Sequence, residues 1–347
     1  MDGRTGRGRP VTADGDELAG RVQQRLVEVE NELHGVALRT RSLYDDERAL
    51  RYLDVVDEAS AHLIDAGGKR LRPVLTLVAS HLGDPEGPEV VQAALAVELT
   101  HLASLYHDDV MDSADTRRGV PAAHAVWGNT VAILVGDLLF ARASGVVAQL
   151  GPQAVAIQAE TFERLCLGQL AETVGPRGGD PVQHYLRVLA DKTGALIATC
   201  GQYGTMFAGC DAATVEVLRR YGEKVGIAFQ LADDVLDLSE DDVTGKNAGT
   251  DLREHVPTMP ALIARQAAAE GDRDAATLVQ LIDGDLSDDA DLGRAVAGLR
   301  DSAAAEQTLS MARSWAADAV AVLDQLPPSA VRTALADFAD STVNRTA

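Results

Sequence analysis

Two acidic pentads of the same spacing stand in this chain: Asp108-Asp109-Val110-Met111-Asp112 and Asp233-Asp234-Val235-Leu236-Asp237. In a helical register the first and last acids of each pentad lie four apart and share one face. The middle acid, Asp109 or Asp234, sits about 100° round the helix. Each pentad closes a long apolar stretch, and carboxylates at a helix C-terminus meet the partial negative charge of the backbone as well as one another. That placement works against stability, but it makes sense where hard divalent cations stand between the oxygens. Mg²⁺ takes one or two carboxylates and completes its octahedral shell with water and substrate phosphate. Two such clusters facing one another would bridge a diphosphate through metal ions. A single pentad in so acidic a chain says little; two, each ending an apolar helix, say much more.

The basic residues point to the same chemistry. Only four lysines, Lys69, Lys192, Lys224 and Lys246, stand among 31 Lys plus Arg. Three lie near glycine, in Gly67-Gly68-Lys69-Arg70-Leu71-Arg72-Pro73, Asp191-Lys192-Thr193-Gly194 and Gly245-Lys246-Asn247-Ala248-Gly249. Arg117-Arg118-Gly119 follows the first pentad, and a guanidinium fork matches phosphate oxygens in bidentate fashion. Taken singly, each of these cations reads as surface. Together with the paired carboxylates they describe a site for two diphosphates.

The elements that must position these groups read as helices. Leu18, Val22, Leu26, Val29 and Leu33 recur at spacings of three and four, an amphipathic pattern. Further helical stretches run over about 45–66, from Pro73 to about 82, and over 88–112, 130–150, 153–174, 182–208 and 212–238. They resume from about 257, after a polar loop at 239–250. Gly67-Gly68 is a C-terminal stop signal and Pro73 a first-turn residue. No period-2 strand is evident. Hydrophobic residues make up 46% of the chain and aromatics only 4%, so Ala, Leu and Val must build the core, which suits close helix packing. The expectation is an all-α chain: a large single-domain helical bundle around a central cavity over residues 17–347, behind a disordered tail at 1–16.

Composition excludes other classes. A net charge of −22 argues against a nucleic-acid partner. Cys166, Cys200 and Cys210 show no metal spacing and are odd in number, so reduced thiols in the cytoplasm are expected. No apolar signal segment follows the polar N-terminal residues, and no charge-free run is long enough for a membrane span. His124 and His184 lack a ligand-spaced partner and read as surface or satisfied polar groups. Trp127, Trp315 and the three cysteines read as core. No Ser-His-Asp or Cys-His constellation offers a nucleophile.

Taken together, these motifs resemble those of the trans-isoprenyl diphosphate synthases, and among them the bacterial polyprenyl synthetases. The resemblance covers about residues 20–345. It implies the isoprenoid-synthase helical fold and a prenyltransferase that adds isopentenyl diphosphate to an allylic diphosphate. The primer would be dimethylallyl, geranyl, farnesyl or geranylgeranyl diphosphate. By this resemblance Asp108, Asp112 and Asp233 are the principal Mg²⁺ ligands, three ions per site being expected with substrate bound. Asp109, Asp234 and Asp237 hold metal waters or support the ligands. Lys69, Arg72, His101 and Arg118 match the isopentenyl diphosphate pocket. Arg117, Lys192, Thr193, Gln230 and Lys246 match groups around the allylic diphosphate. Gln169 matches a cavity-lining position, and Glu172 stands where the family commonly has Asp. The implied reaction is ionisation, condensation and elimination, with the cations neutralising the leaving diphosphate.

The resemblance also implies a homodimer built on long helices, for which the stretch 130–150 with Gly136 and Gly145 is suited. The growing chain is expected to descend a tunnel from the first pentad past Ser104, Ala103 and Thr100, then Val97 and Ala96. None of these is large, so the tunnel is not filled by a ring, and a product of about seven to ten isoprene units is expected. The alternatives are a geranylgeranyl or farnesyl diphosphate synthase, a terpene cyclase or head-to-head condensing enzyme, and a non-catalytic regulatory subunit of a heteromeric synthase.

Overall fold

A computed structural model of the chain describes residues 11–37, 50–239, 249–254 and 256–344. The chain begins with α1 (Val11–Ala37), α2 (Leu50–Asp65), α3 (Leu71–Ser80) and α4 (Pro88–Met111). A hairpin of β1 (Thr116–Arg117) and β2 (Val120–Pro121) leads to α5 (Ala123–Trp127), α6 (Asn129–Gln149), α7 (Pro152–Val174) and α8 (Pro181–Leu189). A π-helical turn at Ala190–Gly194 joins α8 to α9 (Ala195–Phe207), and α10 (Ala212–Leu236) carries the second pentad. The remainder is α11 (Thr250–Arg253), α12 (Met259–Ala269), α13 (Arg273–Ile282), α14 (Asp289–Arg300), α15 (Ala303–Val322) and α16 (Ala330–Val343). The chain divides into two compact units. One comprises residues up to Gln158 with Thr199–Leu218 and Gln325–Leu335; the other comprises Ala159–Ala198, Arg219–Asp324 and the residues from Ala336 onward.

In the first unit α4 is the core element. It packs against α1, α3 and, most extensively, α6. Val90, Val91 and the whole run Ala93–Thr100 are buried, so α4 is apolar nearly all round, as a central helix must be. A single acid, Glu98, lies within that run. In the second unit α12 packs on α8, α13 and α15, over a core that includes Leu231, Met259, Ile263, Leu299 and Ala312. Asp180 caps α8 by accepting the Val182 and Gln183 amides, with Pro181 at the first helical position.

Several details differ from the sequence reading. α1 begins at Val11, so residues 11–16 are helical rather than part of a tail; Asp14 lies in the first turn, where an acid favours a helix. Residues 1–10 lie outside the described residues. α3 begins at Leu71, two residues before Pro73. The stretch 182–208 is interrupted by the π turn. The hairpin escaped a period-2 reading because each strand is two residues long, Thr116 pairing with Pro121 and Arg117 with Val120. Cys166 is exposed on α7 rather than in the core, Cys210 is partly buried, and Cys200 is buried as expected. Trp127 and Trp315 are half-buried. His184 is satisfied by the Ala171 carbonyl at 3.0 Å, whereas the buried Nδ1 of His124 has no partner. Among the described residues one helix, α6, is long and apolar enough to cross a membrane; it carries Asp137 and Arg142.

Candidate active site

The first pentad forms the last turn of α4. Asp108 is half-buried and Asp112 exposed, while Asp109 is wholly buried. Asp109 Oδ1 accepts from both Nε and Nη2 of Arg117, each at 2.6 Å, and its Oδ2 is buried without a partner. Burial pushes the Asp109 carboxyl above its ordinary pKa, and Arg117 opposes the shift. Arg117 reaches it from β1. The turn that follows places Arg118 and Gly119 both at positive φ (54° and 77°), the requirement of a type I′ two-residue hairpin.

Arg118 projects back onto the C-terminus of α2, donating to the Leu63 carbonyl at 2.8 Å and to the Gly67 carbonyl. Gly67, at φ 78°, ends α2 in the left-handed conformation. A side chain at Gly68 would stand 3.0 Å from the Arg118 guanidinium. Arg70 fixes the same loop. It occupies a left-handed backbone position, φ 47°, before α3, held by ion pairs to Glu30 (2.6 Å) and Glu98 (2.9 Å) and a hydrogen bond to the Ile64 carbonyl (3.1 Å). Burial works against its charge, but the two carboxylates outweigh that and raise its pKa. Sequence reasoning missed this role for Arg70. The signal was available in Glu98, a lone acid in an apolar helix that needs a buried partner.

His101, Arg72 and Arg118 face the same region. Burial, then Arg72, Arg118, Arg117 and Arg70, depress the His101 pKa well below 6.5, so the ring is neutral. Burial also lowers the pKa of Arg72 and of Arg118, only partly offset by Glu98. Arg72 Nε is buried without a hydrogen-bond partner, and Lys69 is exposed beside it in sequence. Burial is the main cause of both depressed guanidinium pKa values, and an anion bound beside these groups would offset it.

The second pentad ends α10. Asp233 and Asp237 are half-buried, but Asp234 is almost fully enclosed. The Tyr185 hydroxyl donates to its two oxygens at 3.0 and 2.9 Å, and the Met259 amide donates to Oδ2 at 3.0 Å. Burial pushes Asp234 up to about 8, against these two donors. Nothing in the local sequence announces Tyr185, which comes from α8. Lys192 lies in the π turn, a feature frequent at functional sites. Its ammonium meets Glu172 Oε2 at 2.6 Å. Gly168 permits that approach, since a side chain there would lie 2.6 Å from the Lys192 amide nitrogen. Thr193 donates to Gln230 at 3.3 Å, and Arg164 bridges Asp191 and Glu223 at 2.7 Å each. Gln169 Oε1 is buried without a partner. Lys246 lies outside the described residues.

Along α4 before Asp108, Ser104 is half-buried and donates to the His101 carbonyl. Ala103, Thr100, Val97 and Ala96 are fully buried. Tyr106 is turned toward α2, where its hydroxyl donates to the Ala59 carbonyl, and His107, one residue before Asp108, meets the Ile133 carbonyl of α6 at 3.1 Å. Among the described residues no three carboxylate, imidazole or thiolate groups converge into a closed metal cage. Each helix end taken by itself, half-buried Asp108 with exposed Asp112 on α4 and half-buried Asp233 with Asp237 on α10, offers the hard oxygen donors that a divalent cation takes alongside water and phosphate.

Residues 53–299 match the family described as polyprenyl synthetase. The chain is 46% identical over 315 residues to nonaprenyl diphosphate synthase from Mycobacterium tuberculosis, covering 90% of this chain and 92% of that protein. Geranylgeranyl pyrophosphate synthase from Corynebacterium glutamicum, solved in complex with calcium and isoprenyl diphosphate, is 41% identical with a TM-score of 0.80, covering 98% and 99% of the two chains. Decaprenyl diphosphate synthase from Rhodobacter capsulatus is 33% identical with a TM-score of 0.81, covering 96% and 99%. With its two aspartate pentads, its arginine cluster and its all-helical fold, this chain belongs to the polyprenyl synthetase family of prenyltransferases.

Proposed function

We propose that this chain makes long all-trans polyprenyl diphosphates of about seven to ten isoprene units, the span of its long-chain relatives. The observation that carries this reading is the small-residue run Ala96, Val97, Thr100, Ala103 and Ser104 on α4, with Tyr106 turned away toward α2. The residues of this run carry no ring to obstruct a chain that grows from the first pentad. Asp108, Asp112 and Asp233 would hold Mg²⁺, three ions per site with substrate bound. Asp109, Asp234 and Asp237 support them. Bound Mg²⁺ would neutralise the diphosphate as it leaves the allylic carbon. The chain's own residues do the rest. Lys192, Thr193, Gln230, Arg117 and Lys246 orient the allylic diphosphate, and Lys69, Arg72, His101 and Arg118 hold isopentenyl diphosphate. Neutral His101 donates a hydrogen bond without adding charge, and buried apolar walls exclude water from the allylic cation.

The reading extends to assembly and place. Ile133 and Leu134 on α6 are exposed, an apolar display suited to a second copy of this chain. Light scattering should give a dimer, and Leu134→Glu should weaken it; a monomeric wild type would refute this part. The three cysteines are free thiols, consistent with the cytoplasm. A second reading, a geranylgeranyl diphosphate synthase, is favoured by one contact: Gln158 on α7 reaches Thr100 at 2.8 Å and narrows the path. Chromatography of the products formed from isopentenyl and farnesyl diphosphates decides between them. Products confined to four units would overturn the long-chain reading.

A further inference from the structure

Lys192 and Thr193 sit in the π turn Ala190–Gly194, which is hydrogen-bonded one residue wider than an α turn. Reversion to the α register would rotate the residues past the extra one by about 100°, so something must hold the turn. Packing presses on it: a side chain on Gly226 of α10 would fall 2.6 Å from the Gly194 Cα. A contact between glycine backbones supplies no directional bond. The directional bonds come from Arg164 on α7. Its Nε donates to Asp191 Oδ1 at 2.7 Å, and its Nη2 donates to Glu223 Oε1 on α10 at 2.7 Å and to the Ala190 carbonyl at 3.3 Å. Arg219 donates to the other Glu223 oxygen at 3.1 Å, so that acid is itself anchored. Burial works against the Arg164 charge, but the two carboxylates outweigh it and raise the pKa.

One guanidinium therefore grips the first two residues of the π turn and ties them to the helix that carries the second pentad. The next two residues are the ones with proposed chemistry. Lys192 Nζ meets Glu172 Oε2 at 2.6 Å, and Thr193 donates to Gln230 at 3.3 Å. Arg164 stands eight residues before Glu172, about 12 Å along α7, so it acts on Lys192 through the backbone of the turn. We infer that Arg164 is a positioning residue: by tying Asp191 and the Ala190 carbonyl to Glu223 it keeps the π turn in register and aims Lys192 and Thr193 at the allylic diphosphate. The inference rests on the role proposed above for Lys192 and Thr193. The planar fork of arginine suits the task, because it serves two acids at once, whereas a lysine ammonium is a single point charge.

Steady-state kinetics on the full chain compare wild type, Arg164→Met, Arg164→Lys and Asp191→Asn, with the KM for farnesyl diphosphate and that for isopentenyl diphosphate measured separately. Arg164→Met should raise the first about tenfold, the effect of losing one hydrogen bond between charged groups, and leave the second unchanged. Arg164→Lys should recover part of the loss. Asp191→Asn, at the partly exposed end of the tie, should move the same KM by less. Equilibrium binding of the unreactive S-thiolo analogue of farnesyl diphosphate should weaken in step. A lower melting temperature or turnover with both KM values unchanged makes Arg164 structural only and overturns the inference, as does an equal rise in both. Should Arg164→Met fail to fold, Arg164→Lys and Asp191→Asn decide on the same criterion. Lys192→Ala separates this inference from the reading beneath it. A farnesyl diphosphate KM raised by Lys192→Ala but by none of the other variants sinks the inference alone. A KM unmoved by Lys192→Ala refutes the role given to Lys192, and a rise in Arg164→Met then keeps the tie acting through Thr193.

Discussion

The Tyr185 hydroxyl lies 3.0 and 2.9 Å from the two oxygens of Asp234, and this contact has a counterpart in the first pentad. Asp109 holds the same ordinal place there and is bound by Arg117 at 2.6 Å. In both pentads the middle acid is turned into the packing and fixes the rotation of its helix end. The outer acids are thereby left on another face, where metal and phosphate chemistry is proposed. The two braces differ in kind: a guanidinium in one, and a phenol with a backbone amide in the other.

Tyr185→Phe should loosen the second pentad without unfolding the chain. Asp234 would keep only the Met259 amide at 3.0 Å among its two donors. Outer-shell losses of this sort cost about ten- to a hundredfold in metal affinity. The Mg²⁺ concentration for half-maximal turnover should rise by about tenfold. The thermal shift produced by Mg²⁺ with inorganic diphosphate should shrink in step. An unchanged Mg²⁺ midpoint in both measurements would show that Tyr185 is structural only.

Asp108→Ala should lower turnover by at least about a thousandfold, or roughly 4 kcal/mol of transition-state stabilisation. The fold should survive, since removing one of several repelling acids relieves strain in the metal-free protein. Near-normal turnover in a folded variant would sink the assignment of the pentads to metal binding.

These predictions separate what was legible in the sequence from what was not. The pentads, the arginine pair and the helices could be read because their spacing matches the helical period or follows it closely. The support beneath them could not. Tyr185 and Asp234 are 49 positions apart, and no local pattern links a tyrosine on α8 to an acid on α10. The hairpin turns on two positive φ angles at Arg118 and Gly119, a demand that only the glycine half advertises. Arg70 looked like one more phosphate cation beside Lys69 and Arg72. Its counter-acids Glu30 and Glu98 make it a brace, a distinction that depends on burial rather than residue type. The π turn at Ala190–Gly194 adds one residue to a helical turn, which periodicity over a short window cannot resolve.

His101 gives a prediction in pH. Its folded pKa is depressed well below 6.5 by burial and four arginines, so the folded protein keeps the ring neutral while the unfolded chain takes up a proton below about 6.5. The unfolded state then binds more protons, and stability falls as pH drops from 6.5 toward the folded pKa. The full stabilisation is present above 6.5. The slope is at most about 1.4 kcal/mol per pH unit. His101→Gln should flatten the fall in melting temperature between pH 7 and pH 5. An equal slope in wild type and variant would show that other groups carry the acid sensitivity.

Ala103→Phe tests the tunnel. Ala103 is fully buried, and its carbonyl lies 3.2 Å from where a side chain on Gly136 would begin. α4 and α6 are therefore in close contact at this level, and a phenylalanine ring finds no room between them. Forcing it into packed structure costs about 1–3 kcal/mol, so the ring should turn into the path of the growing chain. It would then stand five residues before Asp108, about 7.5 Å along the helix. Growth should stop near C15 to C20, while the first condensation onto a short primer proceeds. Product chromatography reads the chain length, and circular dichroism confirms that the variant is folded. If a folded Ala103→Phe variant still makes the wild-type long product, the chain does not pass Ala103, and the small-residue run on α4 does not govern product length.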